Sequence, residues 1–410
     1  MKSVCTNRNT IAILVRGSCF AVLLLFVNIF LVAQIFTLSG ESFTTVALFS
    51  IVRASGQMAS YFFAVLFCKK FKATRVSQFG SLLACGFILM VVLWQDGLQN
   101  FYLLFGAVWG LASGVHIATG QFLQSHGFGR EKVRSNLIWL HSITALIGIV
   151  FPFTFGLVID LGSLTLTSIM VLAITLVKVV ATFMITSERD ISQRLQPIQY
   201  FRALRKNDFT KASWILWIIS LLSGFVLTIN LLTTVMVVLT FGSNISLGFL
   251  ISGFALGAVV FLIGYKYCRG WAKLSIIIAC VFVPFFASIP LLFHIGVITV
   301  AFFQGGFLIF NKVIMTEAKA TKISAVKYWG GEEFLLESNL FYEAAHWIGK
   351  ILAGLLVLVI GLVGATPLIM AIIIVLMLLI YSIYAAGLFL WQRRYIQPLK
   401  IILPHSSQMP

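Results

Sequence analysis

The chain alternates long apolar runs with short polar breaks. Runs long enough to span a bilayer, about 20 residues each, fall near residues 12 to 38, 43 to 67, 76 to 95, 100 to 123, 136 to 159 and 163 to 186. A second set falls near 213 to 240, 244 to 268, 274 to 293, 295 to 316, 337 to 361 and 366 to 390. The pattern predicts an all-α polytopic membrane protein of twelve transmembrane helices in two pseudo-symmetric six-helix bundles. Residues 1–186 form the first bundle, 187–212 a charged cytoplasmic linker, and 213–410 the second bundle with a short cytoplasmic tail. The chain also repeats itself: Arg134-Ser-Asn-Leu-Ile-Trp139 aligns with Glu337-Ser-Asn-Leu-Phe-Tyr342 at an offset of 203 residues, and Asn28 with Asn230 at 202.

Composition agrees with a membrane class: of 410 residues, 60% are hydrophobic and 10% charged. The formal charge of +17 would suggest nucleic acid in a soluble protein, but its distribution excludes that partner. With both termini inside, 25 of the 29 Lys and Arg residues fall on the cytoplasmic side, and the six opposite loops hold none. This asymmetry predicts a multi-pass cell-membrane protein oriented by the positive-inside rule, and the compact loops suggest a bacterial inner membrane. The six cysteines are scattered with no disulfide framework and no metal-ligand spacing. The first run has no cleavage site after it and reads as a retained span.

Four cations remain inside the apolar runs: Arg16, Arg53, Lys178 and Lys350. Arg16 and Lys178 lie near the cytoplasmic edge and are expected to snorkel to the headgroups. Arg53 lies about ten residues inside its span, roughly 15 Å deep at 1.5 Å per residue, which marks it as functional. Asn28 and Asn230 are mid-span amides that need a partner or water. His116 follows a small-residue stretch, Trp109-Gly-Leu-Ala-Ser-Gly114, suited to close helix packing. Gln304 and Asn311 form a polar stripe in the tenth span. In the eleventh, Glu343, His346 and Lys350 share one helix face at i, i+3 and i+7.

The loop after the eighth span reads Gly264-Tyr-Lys-Tyr-Cys268-Arg269-Gly-Trp-Ala-Lys273. It resembles the loop signature of the major facilitator superfamily, Gly-x-x-x-Asp-Arg-x-Gly-Arg-Lys, at Gly264, Arg269 and Lys273, with Cys268 in the acidic slot. The two sets of six spans, the charged linker and the internal offset resemble the same superfamily over the whole chain. The resemblance implies a cavity lined by the first, fourth, seventh and tenth spans, seams between halves made by the second, fifth, eighth and eleventh, and peripheral supports from the rest. It places Arg53 and Lys350 on neighbouring helices at similar depth.

The sequence lacks a phosphate-binding loop and a His-Glu-x-x-His metal motif, so no enzymatic activity and no cofactor are expected. No Asp or Glu lies at the depth of Arg53 and Lys350, which favours an anionic or acidic amphipathic solute over a cationic drug. The expected function is secondary active transport of a small organic solute by alternating access, coupled to protons or another ion, by a monomer in the bilayer. Arg53, Lys350, Asn28, Asn230, Gln304, Asn311 and His116 are the candidate substrate-binding residues. Glu343 and His346 are candidate proton-coupling groups, since burial and adjacent charge move such pKa values toward neutrality. Arg134, Glu337, Gly264, Arg269 and Lys273 are candidate gating residues. The alternatives are a proton-driven efflux pump for drugs or hydrophobic compounds, which the 38 phenylalanines would suit, and a non-transporting sensor on a transporter scaffold.

Overall fold

A computed structural model describes residues 2–127, 133–186, 199–202, 210–268, 270–325, 335–364 and 366–396. Twelve helices among the described residues are long and apolar enough to cross a membrane. They are Arg8–Leu38, Phe43–Cys68, Ala73–Leu93, Gln95–Leu123, Ser142–Leu161, Leu164–Phe183, Lys211–Phe241, Asn244–Tyr265, Trp271–Leu292, Val297–Ala318, Glu337–Val363 and Leu368–Tyr395, called here the first to twelfth spans. Helix is dictated by the medium, because in hydrocarbon each backbone N–H and C=O must be satisfied within its own segment. Phe63, Phe79, Leu104, Val180, Phe249 and Phe302 are among the large apolar side chains left exposed, as a lipid-facing surface requires.

The internal repeat is visible in the backbone. Gly40 and Gly242 end the first and seventh spans with φ of 67° and 64°, the left-handed region where a Cβ is unfavourable, and they lie 202 residues apart (242 minus 40). Both spans are also irregular at equivalent depth. The first contains a π-helical turn over Phe26–Leu31, centred near Asn28. The seventh divides at Thr228 into helices Thr210–Leu227 and Ile229–Phe241, just before Asn230. Such local departures from α geometry occur frequently at functional sites.

The helices form two compact units. The first comprises Met1–Ser192, Asn230–Gly257 and Gly354–Ala365; the second comprises Gln193–Ile229, Ala258–Ala353 and Thr366–Pro410. In the first unit, Gly106, Gly110 and Gly114 of the fourth span form a stripe against the backbone of the second. A Cβ at Gly110 would lie 2.5 Å from the Arg53 carbonyl oxygen, and one at Gly114 would collide with Ser60 Oγ and the Gln57 carbonyl. Gln57 Nε2 donates to Ser113 Oγ at 2.8 Å, and Ser60 Oγ to the Gly110 carbonyl at 3.3 Å. The small residues of the fourth span therefore pack backbone on backbone, as their spacing predicts.

Two further crossings belong to the first unit. Gly156 and Pro152 of the fifth span meet Asn244 and Gly248 of the eighth, where either glycine Cβ would overlap a backbone carbonyl. Asp160 caps the eighth span, accepting from the backbone N–H of Asn244 at 3.2 Å and of Ile245 at 2.8 Å, and from Asn244 Nδ2 at 2.7 Å. The fifth span runs through Pro152 without ending, and the neighbouring Phe153 N–H donates to Ser252 Oγ at 3.1 Å. The second span packs on the end of the eleventh at Ile51 against Gly354 and Thr44 against Gly361.

In the second unit, the seventh and eleventh spans cross at Gly224 and Gly349, where a Cβ would overlap the carbonyls of His346 and Leu221. The twelfth span is tied down by Trp391 Nε1 donating to the Ala212 carbonyl at 2.9 Å and Ser382 Oγ to the Val281 carbonyl at 2.7 Å. Because Gly114 has no room for a side chain, Gly114→Val is expected to destabilise by about 1 to 3 kcal/mol, the usual range for overpacking. A lowered thermal transition and loss of the monodisperse peak on size exclusion would show it. Gly86, which has nothing within 4 Å of its Cβ position, should accept the same change with little effect.

Candidate functional site

In the first unit the second span carries Arg53 past the π-helical turn of the first. Arg53 Nη1 donates to Asn28 Oδ1 at 2.7 Å, and the guanidinium lies 5.7 Å from the Phe49 ring centroid. Asn28 is exposed within an otherwise buried run from Phe26 to Phe36, interrupted only there and at Gln34, and Arg53 is half-buried. A charge and an amide would face hydrocarbon at high cost, so this surface suits an aqueous cavity. An amide orients the guanidinium but leaves its charge uncompensated. The Gly110 contact brings the fourth span against the Arg53 backbone, so the pair rests on a rigid crossing rather than on a loop.

His116 lies deeper in the same unit, 6% exposed, with its ring stacked on Phe20 at 3.6 Å between centroids. Arg16 and Lys178 are beside it, and here the structure corrects the sequence reading. Neither snorkels: they are 1% and 0% exposed. Arg16 Nη2 donates to the His116 carbonyl at 3.0 Å and to Thr119 Oγ1 at 2.7 Å. Lys178 Nζ lies 5.5 Å from the Phe20 ring centroid. Their position near the end of a span suggested the headgroups; helix rotation instead turns both inward. No sequence signal could have joined them, because the four residues come from three spans.

In the second unit, Gln304 and Asn311 of the tenth span are buried, at 2% and 8% exposed. Gln304 Oε1 and Asn311 Oδ1 find no hydrogen-bond partner among the described residues. His346 Nδ1 is 2.9 Å from Ser223 Oγ of the seventh span, a pairing made available by the Gly224 and Gly349 crossing. Glu343 and Lys350 are half-buried on the same helix. Arg53 belongs to the first unit and Lys350 to the second. Asn230 opens the helix Ile229–Phe241, and its side chain lies outside the described residues.

The candidate gating residues are placed unevenly. Glu337 is 5% exposed and Ser338 3%. They neighbour Tyr200, whose hydroxyl is pushed above its ordinary pKa by burial, opposed by a hydrogen bond with Ser338 and reinforced by the Glu337 charge. Tyr200 and Phe201 stack edgewise on Phe341 at 6.2 and 5.8 Å, so this part of the linker is anchored on the eleventh span. Gly264 has open space around it, and Lys273 Nζ lies 5.2 Å from the Tyr265 ring centroid. Arg134 lies in the first turn of the helix Val133–Leu161 that contains the fifth span, but its side chain lies outside the described residues, as does all of Arg269. Sequence reasoning missed Glu317, which accepts from Tyr265 Oη at 2.9 Å and from Gln392 Nε2 at 3.2 Å, joining the eighth, tenth and twelfth spans. Among the described residues no cluster of three His, Cys, Asp or Glu side chains could hold a metal ion.

No protein-family profile and no curated protein matches the chain in sequence. Solved structures match it along nearly its whole length. The POT family transporter PepTSo superposes with a TM-score of 0.70 at 10% identity, over 95% of this chain and 99% of that one. A bacterial homologue of the iron transporter ferroportin, in an inward-facing state, gives 0.63 at 15% identity, over 96% and 100%. The nucleoside transporter NupG gives 0.62 at 13%, over 95% and 99%. At such identities the likeness concerns backbone alone, and it establishes that this chain is a twelve-span membrane protein with the major facilitator fold.

Proposed function

We propose that the protein is a secondary active transporter that moves a small organic anion, or an acidic amphipathic solute, across the cell membrane by alternating access coupled to protons. The observation that carries this reading is Arg53: a half-buried guanidinium about 15 Å along its span, held by the neutral amide of the exposed Asn28. A carboxylate or phosphate group would supply the missing charge and could accept two parallel N–H bonds from the guanidinium. A cationic solute would need a buried carboxylate, and no Asp or Glu stands at that depth in the sequence. The full-length match to structures of three different transporters supports the transport class.

The remaining candidates are assigned roles in the same transport reading. Lys350 provides a second positive charge for the solute. Asn28 holds the Arg53 fork in position, and Asn230 is its counterpart in the repeat. Gln304 and Asn311 offer amide groups to the uncharged part of the solute. Glu343 and His346 carry the coupling proton, with Ser223 fixing the imidazole tautomer. Glu337, Arg134, Gly264, Arg269 and Lys273 control the cytoplasmic end, and both termini are cytoplasmic. At the opposite end, the Asp160 cap and the Gly156 and Gly248 crossing close the seam and must separate in each cycle.

Proton flux into proteoliposomes, challenged with panels of anionic, neutral and cationic solutes, tests the substrate class. Anion-driven flux is expected and should fall at least tenfold in Arg53→Gln, the effect of losing a charge-assisted interaction of about 1.5 to 3 kcal/mol; flux driven by cations, or unaffected by the substitution, would instead favour efflux of hydrophobic cations. A His346→Gln variant should keep solute exchange down a gradient while losing proton movement. Asp160→Ala should loosen the seam, which cysteine-accessibility labelling near Asn244 would register as faster modification.

A further inference from the structure

Three nitrogen atoms inside the first unit have no hydrogen-bond partner among the described residues: Arg16 Nε, His116 Nδ1 and Lys178 Nζ. They belong to the first, fourth and sixth spans, and all three side chains are more than nine-tenths buried. Phe20, one helical turn after Arg16, ties them together, carrying the His116 ring at 3.6 Å and the Lys178 ammonium at 5.5 Å. The Arg16 and Lys178 cations are close enough to influence each other and the His116 imidazole.

No carboxylate in these spans lies near enough to balance the Arg16 and Lys178 charges. The first, third and sixth spans contain no Asp or Glu, and the fourth has only Asp96 in its opening turn, 20 residues and roughly 30 Å of helix from His116. The thiols of Cys19 and Cys85 also lie near Lys178. Arg16 satisfies part of its fork on the His116 carbonyl and Thr119, which orients it and leaves its charge intact. Buried like charges repel strongly in a low dielectric unless an anion lies among them.

We propose that Arg16, His116 and Lys178 form a binding site for a small inorganic anion of halide or nitrate size, enclosed in the first bundle and separate from the Arg53 centre. The orphaned N–H groups of Arg16 and Lys178 are donors that a negatively charged acceptor would meet, and His116 adds a third donor in its Nδ1–H tautomer. Full enclosure limits the ligand to a few atoms, which excludes the organic solute of the transport reading. Bound there, the anion neutralises the cluster and cross-links three spans through one charge, so the bundle's stability depends on it. The site goes beyond the transport function proposed above and stands or falls independently of it.

Thermal unfolding of the purified full-length protein tests this without any transport assay. Transitions are measured in sodium gluconate and with chloride, bromide or nitrate substituted at constant ionic strength. The transition should rise saturably with one or more of the small anions, by about 3 to 5 °C at one hundred times the dissociation constant. The rise should vanish in Lys178→Met and persist in Lys70→Gln, an exposed lysine. As Trp109 stacks on Phe20 at 5.9 Å, bromide should also quench tryptophan emission saturably, and Trp109→Phe should remove that component. Equal transitions in gluconate and in every small anion, or an anion effect that survives in Lys178→Met, would overturn the site and leave Lys178 balanced by loss of its own proton or by a neighbouring thiolate. Should Lys178→Met not yield folded protein, the wild-type anion titration and the Trp109→Phe comparison decide the matter.

Discussion

The constraint on which this structure depends is that a polar atom buried in hydrocarbon must find its partner within the protein. In the first unit the cations Arg16, Arg53 and Lys178 meet an amide, a carbonyl, a hydroxyl and rings, and Arg16 Nε and Lys178 Nζ stay without a hydrogen-bond partner among the described residues. Arg53 is oriented by Asn28, Arg16 by the His116 carbonyl and Thr119, and His346 by Ser223. Each of these partners fixes geometry without cancelling charge. The result is that Arg16, Arg53 and Lys178 place positive charge inside the first unit, which sets the chemistry of anything that binds among them.

Close helix approach determines which polar groups can meet. The Gly106, Gly110 and Gly114 stripe brings the second and fourth spans to backbone contact, and Gly224 with Gly349 does so for the seventh and eleventh. Without a side chain at these points, van der Waals packing between helices is continuous, which matters because lipid supplies no hydrophobic drive for association. The Ser223 to His346 pair is a consequence, lying beside the Gly224 crossing. The π-helical turn at Phe26–Leu31 and the division at Thr228 interrupt the α-helical pattern of the repeat-related spans at equivalent depth. Irregular backbone is tolerated there where protein surrounds it or water reaches it.

Much of the fold was legible because apolar run length and charge asymmetry are local properties. Twelve runs, their boundaries and the internal offset could all be read residue by residue, and the Gly40 and Gly242 turns repeat that offset. Arg53 was also legible, since a charge mid-run is conspicuous whatever surrounds it. Rotation about the helix axis was not. Arg16 and Lys178 lie near span ends, where snorkelling is the ordinary outcome, yet their helices turn them inward toward Phe20 and His116. Glu317 was passed over for the same reason, as its partners Tyr265 and Gln392 lie on other spans.

By itself, then, the sequence determined a twelve-span, twice-repeated membrane protein with deep positive charge, because hydrophobic length and the cost of burying ions act on each segment independently. Tertiary structure alone decided which charges meet. A helix places each side chain by its rotation and by the crossing that packs it, and those follow from contacts between residues a hundred or more positions apart, such as Arg16 with His116 and Ser223 with His346.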